Sequence, residues 1–208
     1  MEEKNRQANP LDNIAKEVKT CKKCRISRSR TNAVPGEGDT EAEIMFVGEA
    51  PGYWEDIKAR PFVGQAGKLL DNLLKDIGLE RKKVYITNIV KCRPPENRDP
   101  QGDEINLCIP YLFKQIEIIQ PSVICTLGRF AFKVLSEENH ASITAQHGKP
   151  FKKETFTIFP LYHPAATLHQ PQLLDVLKED FVKLHTFLTS PPCEEKEKNK
   201  SKQMKLFT

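Results

Sequence analysis

The sequence lacks any long apolar run. No stretch of the 208 residues approaches the roughly 18 apolar residues that a membrane-spanning helix needs. The first residues, Met1 to Arg6, lack the apolar segment of a secretory signal peptide. No internal repeat is visible either. We therefore expect a cytoplasmic protein without a membrane partner.

A strong net charge is also absent. The formal net charge is only +4, which does not by itself indicate a nucleic-acid partner. One segment is nevertheless strongly basic. From Lys19 to Arg30 the sequence has six basic residues and no acidic one. Such a run is typical of a solvated face, or of a patch that binds phosphate.

The composition suits one folded domain with tails. The chain is 38% hydrophobic and 29% charged, which is sufficient for a soluble protein with a real core. Beyond Thr189 the sequence is rich in Pro, Glu, Lys, Asn and Ser, a composition typical of disorder. We expect residues 1–189 to form the domain and residues 190–208 to form a disordered C-terminal tail.

Short apolar runs alternate with amphipathic segments along the chain. Strands are predicted at residues 44–47, 84–90, 123–128 and 155–161, with residues 149–153 as a candidate partner beside the last one. Helices are predicted at residues 10–19, 65–78, 100–119, 129–135 and 172–188, with a kink at Pro110. This alternation predicts an α/β fold, a three-layer α/β/α sandwich around a central four-stranded parallel sheet.

The six cysteines fall into distinct settings. Cys21 and Cys24 form a C-x2-C pair, whereas Cys92 and Cys108 are separated by fifteen residues. Disulfides are not expected in an intracellular protein. Four thiolates in two pairs could hold zinc or an iron–sulfur cluster, and the spacing alone does not decide. Of the others, Cys125 lies in an apolar strand and is expected in the core, and Cys193 is expected to be a free exposed thiol.

A glycine-rich turn, Gly48-Glu49-Ala50-Pro51-Gly52, follows the first predicted strand. Two glycines and a proline at a strand exit make a tight turn that backbone and ligand can approach closely. Ligands of open parallel sheets bind beyond the carboxyl ends of the strands. The turn therefore places Glu49 at the mouth of a predicted pocket.

The turn and its continuation, Arg60-Pro61-Phe62-Val63-Gly64-Gln65-Ala66-Gly67-Lys68-Leu69-Leu70-Asp71, resemble the signature of the family 4 (iron–sulfur) uracil-DNA glycosylases. Four blocks match in order between Cys21 and Leu188. The resemblance implies a uracil-DNA glycosylase-like fold and a monomeric repair enzyme. Such an enzyme flips uracil out of single- or double-stranded DNA and hydrolyses its N-glycosidic bond, leaving free uracil and an abasic site. It also implies a prokaryotic, nucleoid-associated location.

The resemblance further implies a structural [4Fe–4S] cluster, since nothing in glycosidic hydrolysis needs an electron. The family's ligands are similar in order and spacing to Cys21, Cys24, Cys92 and Cys108. The cluster would tie the N-terminal helix to the loop after the second strand. No divalent metal is expected in the chemistry.

The family's uracil pocket implies roles for individual residues here. Phe62 would stack on uracil, and Asn88 would pair with the uracil edge, donating to O4 and accepting from N3–H. His163 would reach O2, where negative charge develops as the bond breaks. Glu55 would lie beside C5 and crowd a thymine methyl. The predicted uracil-binding residues are Gly48, Glu49, Gly52, Glu55, Phe62, Asn88 and His163.

The group that positions the attacking water is less clear from the sequence. The glycosylase branch with Gly-Gln-Asp-Pro-Tyr uses an aspartate at the third position, where this chain has Ala50. Glu49 is the first candidate to replace it and Asp56 is the second. Glu49, Asn88 and His163 are therefore the predicted catalytic residues.

Other residues are predicted to contact DNA. The segment 165–171 resembles the loop with which related enzymes push an apolar side chain into the hole left by the base, and Leu168 is the candidate wedge. Thr167 and His169 flank it, although family sequences often have Arg where His169 stands. Lys91 and Arg93 follow Asn88 and could meet phosphate.

Two other functions stay open at this stage. One is a non-catalytic module that binds single-stranded DNA and carries a cysteine-bound metal centre. The other is a glycosylase for a different deaminated base, such as hypoxanthine. The extreme C-terminus adds a prediction, because Gln203, Leu206 and Phe207 partly resemble the peptides that dock on the replicative sliding clamp.

Overall fold

A mixed six-stranded sheet forms the centre of the protein. The computed structural model describes residues 9–138 and 142–190. The strands are β1 (Glu37–Gly38), β2 (Ile44–Gly48), β3 (Tyr85–Asn88), β4 (Val123–Leu127), β5 (Phe151–Lys152) and β6 (Thr157–Leu161). Their order across the sheet is β1-β3-β2-β4-β6-β5.

The two edge strands correct the prediction of a four-stranded parallel sheet. The central strands β3, β2, β4 and β6 pair in parallel, but β1 and β5 pair antiparallel to their neighbours. Each edge strand contains only two residues, which is too short for a pattern of alternating hydrophobicity. The β5 strand lies inside the segment 149–153, which the sequence places beside the last strand.

Eight α-helices surround the sheet in the described part of the chain. They are α1 (Pro10–Thr20), α2 (Tyr53–Lys58), α3 (Gln65–Asp76), α4 (Gly102–Ile119), α5 (Arg129–Ser136), α6 (Ile143–Gln146), α7 (Pro164–His169) and α8 (Leu173–Thr189). The five predicted helices and four predicted strands are confirmed within two residues at each end. The short helices α2, α6 and α7 have too few residues to show a helical period.

Helix α4 shows why its start differs from the prediction. The side chain of Glu104 accepts a hydrogen bond from the backbone N–H of Gln101 at 2.8 Å, which caps the first turn. The helix therefore begins at Gly102 rather than at Pro100. It continues as one element through Pro110 to Ile119, so the expected kink does not divide it.

The helices cover both faces of the sheet. Alternate side chains of a strand point to opposite faces, and Met45 and Val47 belong to one buried cluster while Ile44 and Phe46 belong to another. The first cluster includes residues of α1, α4 and α5, and the second includes residues of α3 and α8. The protein is therefore three layers thick, and the central strands are buried except at Thr157, the half-buried first residue of β6.

Neither described segment contains a helix that is both long and apolar enough to cross a membrane. The predicted tail, Cys193 and the clamp-like residues Gln203, Leu206 and Phe207 lie outside the described residues. Cys125 is fully buried in β4, as its apolar surroundings predict.

Candidate active site and cysteine pocket

An open pocket of about 470 Å³ lies beyond the carboxyl ends of β2, β3 and β6. This is the edge of the sheet where the sequence places it. Six of the seven predicted uracil-binding residues line it: Glu49, Gly52, Glu55, Phe62, Asn88 and His163. The seventh, Gly48, lies directly behind two of them.

Gly48 allows the Asn88 amide and the Phe62 ring to meet. It pairs with Asn88 in the parallel register of β2 and β3. A Cβ atom on Gly48 would collide with Asn88 Oδ1 and would lie 2.7 Å from Phe62 Cζ. Only a residue without a side chain therefore fits between these groups.

The Asn88 amide is buried but incompletely paired. The residue is 2% exposed, and its Oδ1 atom has no hydrogen-bond partner among the described residues. An unpaired buried acceptor destabilises a fold by roughly 1–3 kcal/mol. A ligand that brings an N–H donor into the pocket would satisfy it.

Phe62 stands at a strained point of its loop. Its φ is +50°, in the left-handed region that an L residue rarely adopts. The Arg81 guanidinium fixes the loop by donating to the carbonyl oxygens of Pro61, at 2.6 Å, and of Phe62, at 3.2 Å. The Phe62 ring lies 5.6 Å from the His163 ring, with 28° between their planes. Two flat rings thus meet in the pocket.

Glu55 holds the pocket together through its backbone contacts. Its carboxylate accepts from the N–H of Gly52 at 3.1 Å, of Val63 at 2.8 Å and of Gly64 at 2.9 Å. It therefore joins the turn after β2 to the Phe62 loop. The sequence did not indicate this role, because the N–H groups of Val63 and Gly64 belong to a separate loop.

His163 is a neutral donor in the pocket. The N–H of Ala165 donates to His163 Nδ1 at 3.1 Å, at the start of α7. Nδ1 is therefore the acceptor of the ring, and the hydrogen of the neutral ring is on Nε2. Burial lowers the pKa of His163 to about 4, although the nearby Glu55 carboxylate opposes this shift. The ring thus stays uncharged at neutral pH.

The two candidates for water positioning differ in the structure. Glu49 lines the pocket, and burial together with the charge of Asp99 raises its pKa to about 7, against the effect of Arg129. Asp56 is 3% exposed, and its carboxylate accepts from the N–H groups of Thr31 and Asn32 at 2.9–3.0 Å. Asp56 is therefore a structural residue and is not a candidate for positioning the water.

Two predicted DNA contacts are wrong. Lys91 is 1% exposed, and its ammonium donates to Thr87 Oγ1, the Asn88 carbonyl and Gln115 Oε1 at 2.6–2.8 Å. Thr167 is 7% exposed, and its hydroxyl donates to the Pro164 carbonyl within α7. Both side chains are committed to internal contacts and do not reach a phosphate.

The other predicted DNA contacts lie at the pocket rim. Leu168 projects from α7 and is 48% exposed, and the neighbouring His169 lines the pocket. Arg93 is half-buried, and its guanidinium lies 5.1 Å from the centre of the Tyr53 ring. The pocket also includes Arg98, which the sequence could have indicated only through its place in the Pro-rich loop after β3.

The four paired cysteines share a second, smaller pocket. Cys21, Cys24, Cys92 and Cys108 line it together with residues of α1 and α4. Two nitrogen donors reach the sulfurs, since Arg30 donates to Cys92 at 2.7 Å and the Lys91 N–H donates to Cys108 at 3.2 Å.

The chemistry of this pocket fits a group that needs thiolates. Burial raises the pKa of the Cys92 thiol to about 11 and that of Cys108 above its usual range. Buried thiols of this kind stay protonated unless a cation binds them. Within the described residues no group of three or more His, Cys, Asp or Glu side chains is arranged to hold a metal ion. The four thiols nevertheless line one pocket.

Comparison with known proteins gives the family. The model of the uracil DNA glycosylase superfamily matches residues 35–185. The chain is 54% identical to the type-4 uracil-DNA glycosylase of Sulfurisphaera tokodaii over 87% of this chain and 86% of that protein. It is 52% identical to that of Saccharolobus solfataricus over 88% of each chain, and 48% identical to that of Archaeoglobus fulgidus over 84% of this chain and 91% of that protein. The chain therefore belongs to the uracil DNA glycosylase superfamily, and within it to the type-4 group.

Proposed function

We propose that the protein is a uracil-DNA glycosylase that hydrolyses the N-glycosidic bond of uracil in DNA, the first step of base excision repair. One observation carries the assignment to uracil. The unpaired Oδ1 of Asn88, the Phe62 ring and the neutral His163 donor line one pocket. The names of the type-4 relatives support the same activity.

Asn88 supplies the choice of base. Uracil offers an N3–H donor beside an O4 acceptor, so Oδ1 accepts from N3–H and the amide nitrogen donates to O4. Cytosine presents a donor and an acceptor in the reverse places, and its pairing with the same amide leaves both groups unsatisfied. The buried Oδ1 atom, which no group in the described part of the chain satisfies, supports this role.

His163 stabilises the departing base. Negative charge develops on uracil O2 as the bond to the sugar breaks, and the Nε2–H of the neutral ring donates to it there. A preorganised donor of this kind lowers the barrier by on the order of 3 kcal/mol. The hydrogen bond from Ala165 fixes the ring and its tautomer before the base enters.

Glu49 orients the water that attacks the sugar. Its carboxylate lines the pocket, and its pKa of about 7 lets it accept a proton from water near neutral pH. Glu55 and Gly52 close the pocket behind the Phe62 loop. With its carboxylate fixed by three N–H groups, Glu55 limits the space for the methyl group of thymine.

The DNA strand lies across the rim of the pocket. Leu168 enters the space that the flipped base leaves, and Arg93 and His169 lie next to the strand. Base flipping costs a few kcal/mol, and less for a base that is already unpaired. The substrate is therefore uracil in either single- or double-stranded DNA. Docking of the C-terminal residues on a sliding clamp remains a separate proposal.

Cys21, Cys24, Cys92 and Cys108 hold a [4Fe–4S] cluster, which when bound fastens α1 to the loop after β3. The two N–H···S hydrogen bonds support this assignment, because they stabilise thiolate ligands. Anaerobically purified protein should be brown. Colourless protein that contains stoichiometric zinc would contradict the cluster and leave the glycosylase untouched.

The activity is tested with an oligonucleotide that carries a single uracil. Incubation with the protein in EDTA, followed by alkali, should cleave the strand at the uracil position only. Matched oligonucleotides with cytosine, thymine or hypoxanthine at the same position should stay intact. Asn88→Ala should lower the rate at least about tenfold. Binding of the uracil strand without cleavage would contradict the proposal.

A further inference from the structure

A patch of exposed aromatic side chains lies on α2, beside the pocket. Tyr53 and Trp54 are 50% and 54% exposed, and Ile57 on the next turn is 44% exposed. A single exposed apolar side chain is ordinary, but adjoining ones mark interaction surfaces. None of the three lines the pocket, so the proposed uracil chemistry does not account for them.

The patch is continuous with the pocket. Gly52 and Glu55, which bracket Tyr53 and Trp54 in the sequence, both line the pocket. The Trp54 side chain packs against Gly64 in the Phe62 loop, where a Cβ atom on Gly64 would lie 3.6 Å from Trp54 Cδ1. A ligand that extends from the pocket in this direction would contact α2.

The exposed face of α2 combines aromatic rings with positive charge. The Arg93 guanidinium lies 5.1 Å from the Tyr53 ring centre, and the Lys58 ammonium lies 5.8 Å from that of Trp54. The two carboxylates of this helix are used internally, since Glu55 and Asp56 accept hydrogen bonds from backbone N–H groups of other loops. The two carboxylates are therefore engaged with backbone N–H groups and not with Lys58 or Arg93.

Aromatic rings next to cations fit an unpaired nucleic-acid strand. Bases stack on the rings, and the cations neutralise the phosphates between them. In a duplex the faces of the bases are covered by neighbouring base pairs, so only an unpaired strand can stack in this way. The continuity of the patch with the pocket favours this strand over a peptide or a membrane.

We propose that Tyr53, Trp54, Lys58 and Arg93 form a stacking platform for the unpaired bases that flank the flipped uracil. The proposal rests on the proposed function, because the pocket determines which strand reaches α2. It assigns the enzyme a preference for uracil in single-stranded DNA, and it places that preference in α2 rather than in the uracil pocket.

Trp54 reports on this contact directly, because it is the only tryptophan in the chain. The full-length protein is titrated with a single-stranded oligonucleotide without uracil, and binding is followed in parallel by anisotropy. Stacking should quench the tryptophan emission in a saturable way, and the duplex of the same sequence should quench less. Saturable binding with unchanged emission would overturn the platform. The platform would also be overturned if iodide could not quench the Trp54 emission before DNA is added. The patch would then be covered by the chain itself or by a second copy.

The double variant Tyr53→Ala/Trp54→Ala tests the consequence for catalysis. It should lower kcat/KM for uracil in single-stranded DNA about tenfold or more, and should change the duplex value much less. Phe113→Ala on α4 is the matched control, since this ring is 43% exposed and does not line the pocket. Uracil release with equal single-strand kcat/KM in the double variant and wild type overturns the platform alone. If the wild-type protein releases uracil from none of the substrates, the proposed function itself is refuted, whatever the Trp54 emission shows.

Discussion

The buried ammonium of Lys91 donates a hydrogen bond to the backbone carbonyl of Asn88 at 2.8 Å. It also donates to Thr87 and Gln115, which fixes the end of β3 against α4. The backbone N–H of the same lysine donates to Cys108. Lys91 therefore joins the strand end that presents the Asn88 amide to the pocket of the four cysteines.

Lys91→Met should lower the rate of uracil release about tenfold, roughly 1.4 kcal/mol in the barrier. Methionine keeps the apolar stem but removes the donor to the Asn88 carbonyl, so the amide is less well positioned. The measurement is kcat/KM on a uracil oligonucleotide, with the free energy of unfolding measured alongside. Thr87→Val removes one acceptor of the Lys91 ammonium, together with the hydrogen bond that the Thr87 hydroxyl donates to the Pro35 carbonyl, and should act in the same direction. Lys114→Met, at an exposed site on α4, is the control. A folded Lys91→Met protein with the wild-type rate would show that Lys91 only stabilises the fold.

Gly48→Ala should abolish uracil binding while the fold is kept. The added methyl group would occupy the space between Asn88 Oδ1 and Phe62 Cζ, so one of these groups must move. Calorimetric titration with free uracil provides the measurement, because it needs the pocket but neither the DNA strand nor an active enzyme. Gly102→Ala at the start of α4 is the matched control, since a Cβ atom there meets nothing within 4 Å. Equal affinity of both variants for uracil would show that uracil binds elsewhere.

His163→Ala should lower the rate of uracil release by at least about tenfold, because the donor to O2 is lost. The pKa of His163 is about 4, so the ring is neutral throughout the range in which the enzyme is assayed. Its protonation should therefore leave no feature in the wild-type pH–rate profile above about pH 5. His185→Ala, at an exposed position on α8, should keep the wild-type rate. A wild-type rate in His163→Ala would remove the histidine from the mechanism.

The sequence predicted those parts of the fold and site that depend on local patterns. The central strands are continuous apolar runs, and the strand exits at Gly48, Asn88 and His163 carry residues that stand out from those runs. Because parallel strands bring their carboxyl ends to one edge, residues far apart in the sequence could be assigned to one pocket. The two-residue edge strands give no such pattern.

The sequence gives the wrong role for Lys91 and Thr167, and only part of the role of Glu55. A lysine just after a strand normally points to solvent, but Lys91 finds Gln115 on α4, and no local pattern shows that contact. The sequence places Thr167 in a loop that enters DNA, because α7 is too short to be recognised. Glu55 reads as a pocket residue in the sequence, yet three backbone N–H groups from two loops also make it a structural one.

The rate of uracil release should rise with pH until about pH 7 and then level off. Glu49 has a pKa of about 7 and must be ionised to accept a proton from water. Below that pH the rate should fall about tenfold per unit, since only the ionised fraction is active. Glu49→Gln should be slow and should lose this dependence. An unchanged pH profile in Glu49→Gln would assign the titration to another group.

Glu49→Gln should also make the protein more stable at alkaline pH. The folded-state pKa of Glu49, about 7, is raised above its ordinary value of 4.5, so the folded state favours the protonated form. The stability that this preference contributes is fully present below pH 4.5 and is lost as the pH rises through 7. At pH 8 the wild type must keep a partly buried charge, whereas glutamine carries none. The carboxylate is partly exposed, so solvent screening reduces the effect. The free energy of unfolding of the variant, measured relative to that of the wild type, should therefore be about 1 kcal/mol higher at pH 8 than at pH 4.5.

Denaturant unfolding of both proteins at both pH values measures this difference, with Glu179→Gln on the exposed face of α8 as the control. A difference that does not change with pH would mean that Glu49 titrates normally. A variant that is slower but more stable would show that the carboxylate is kept for its chemistry at a cost to the fold.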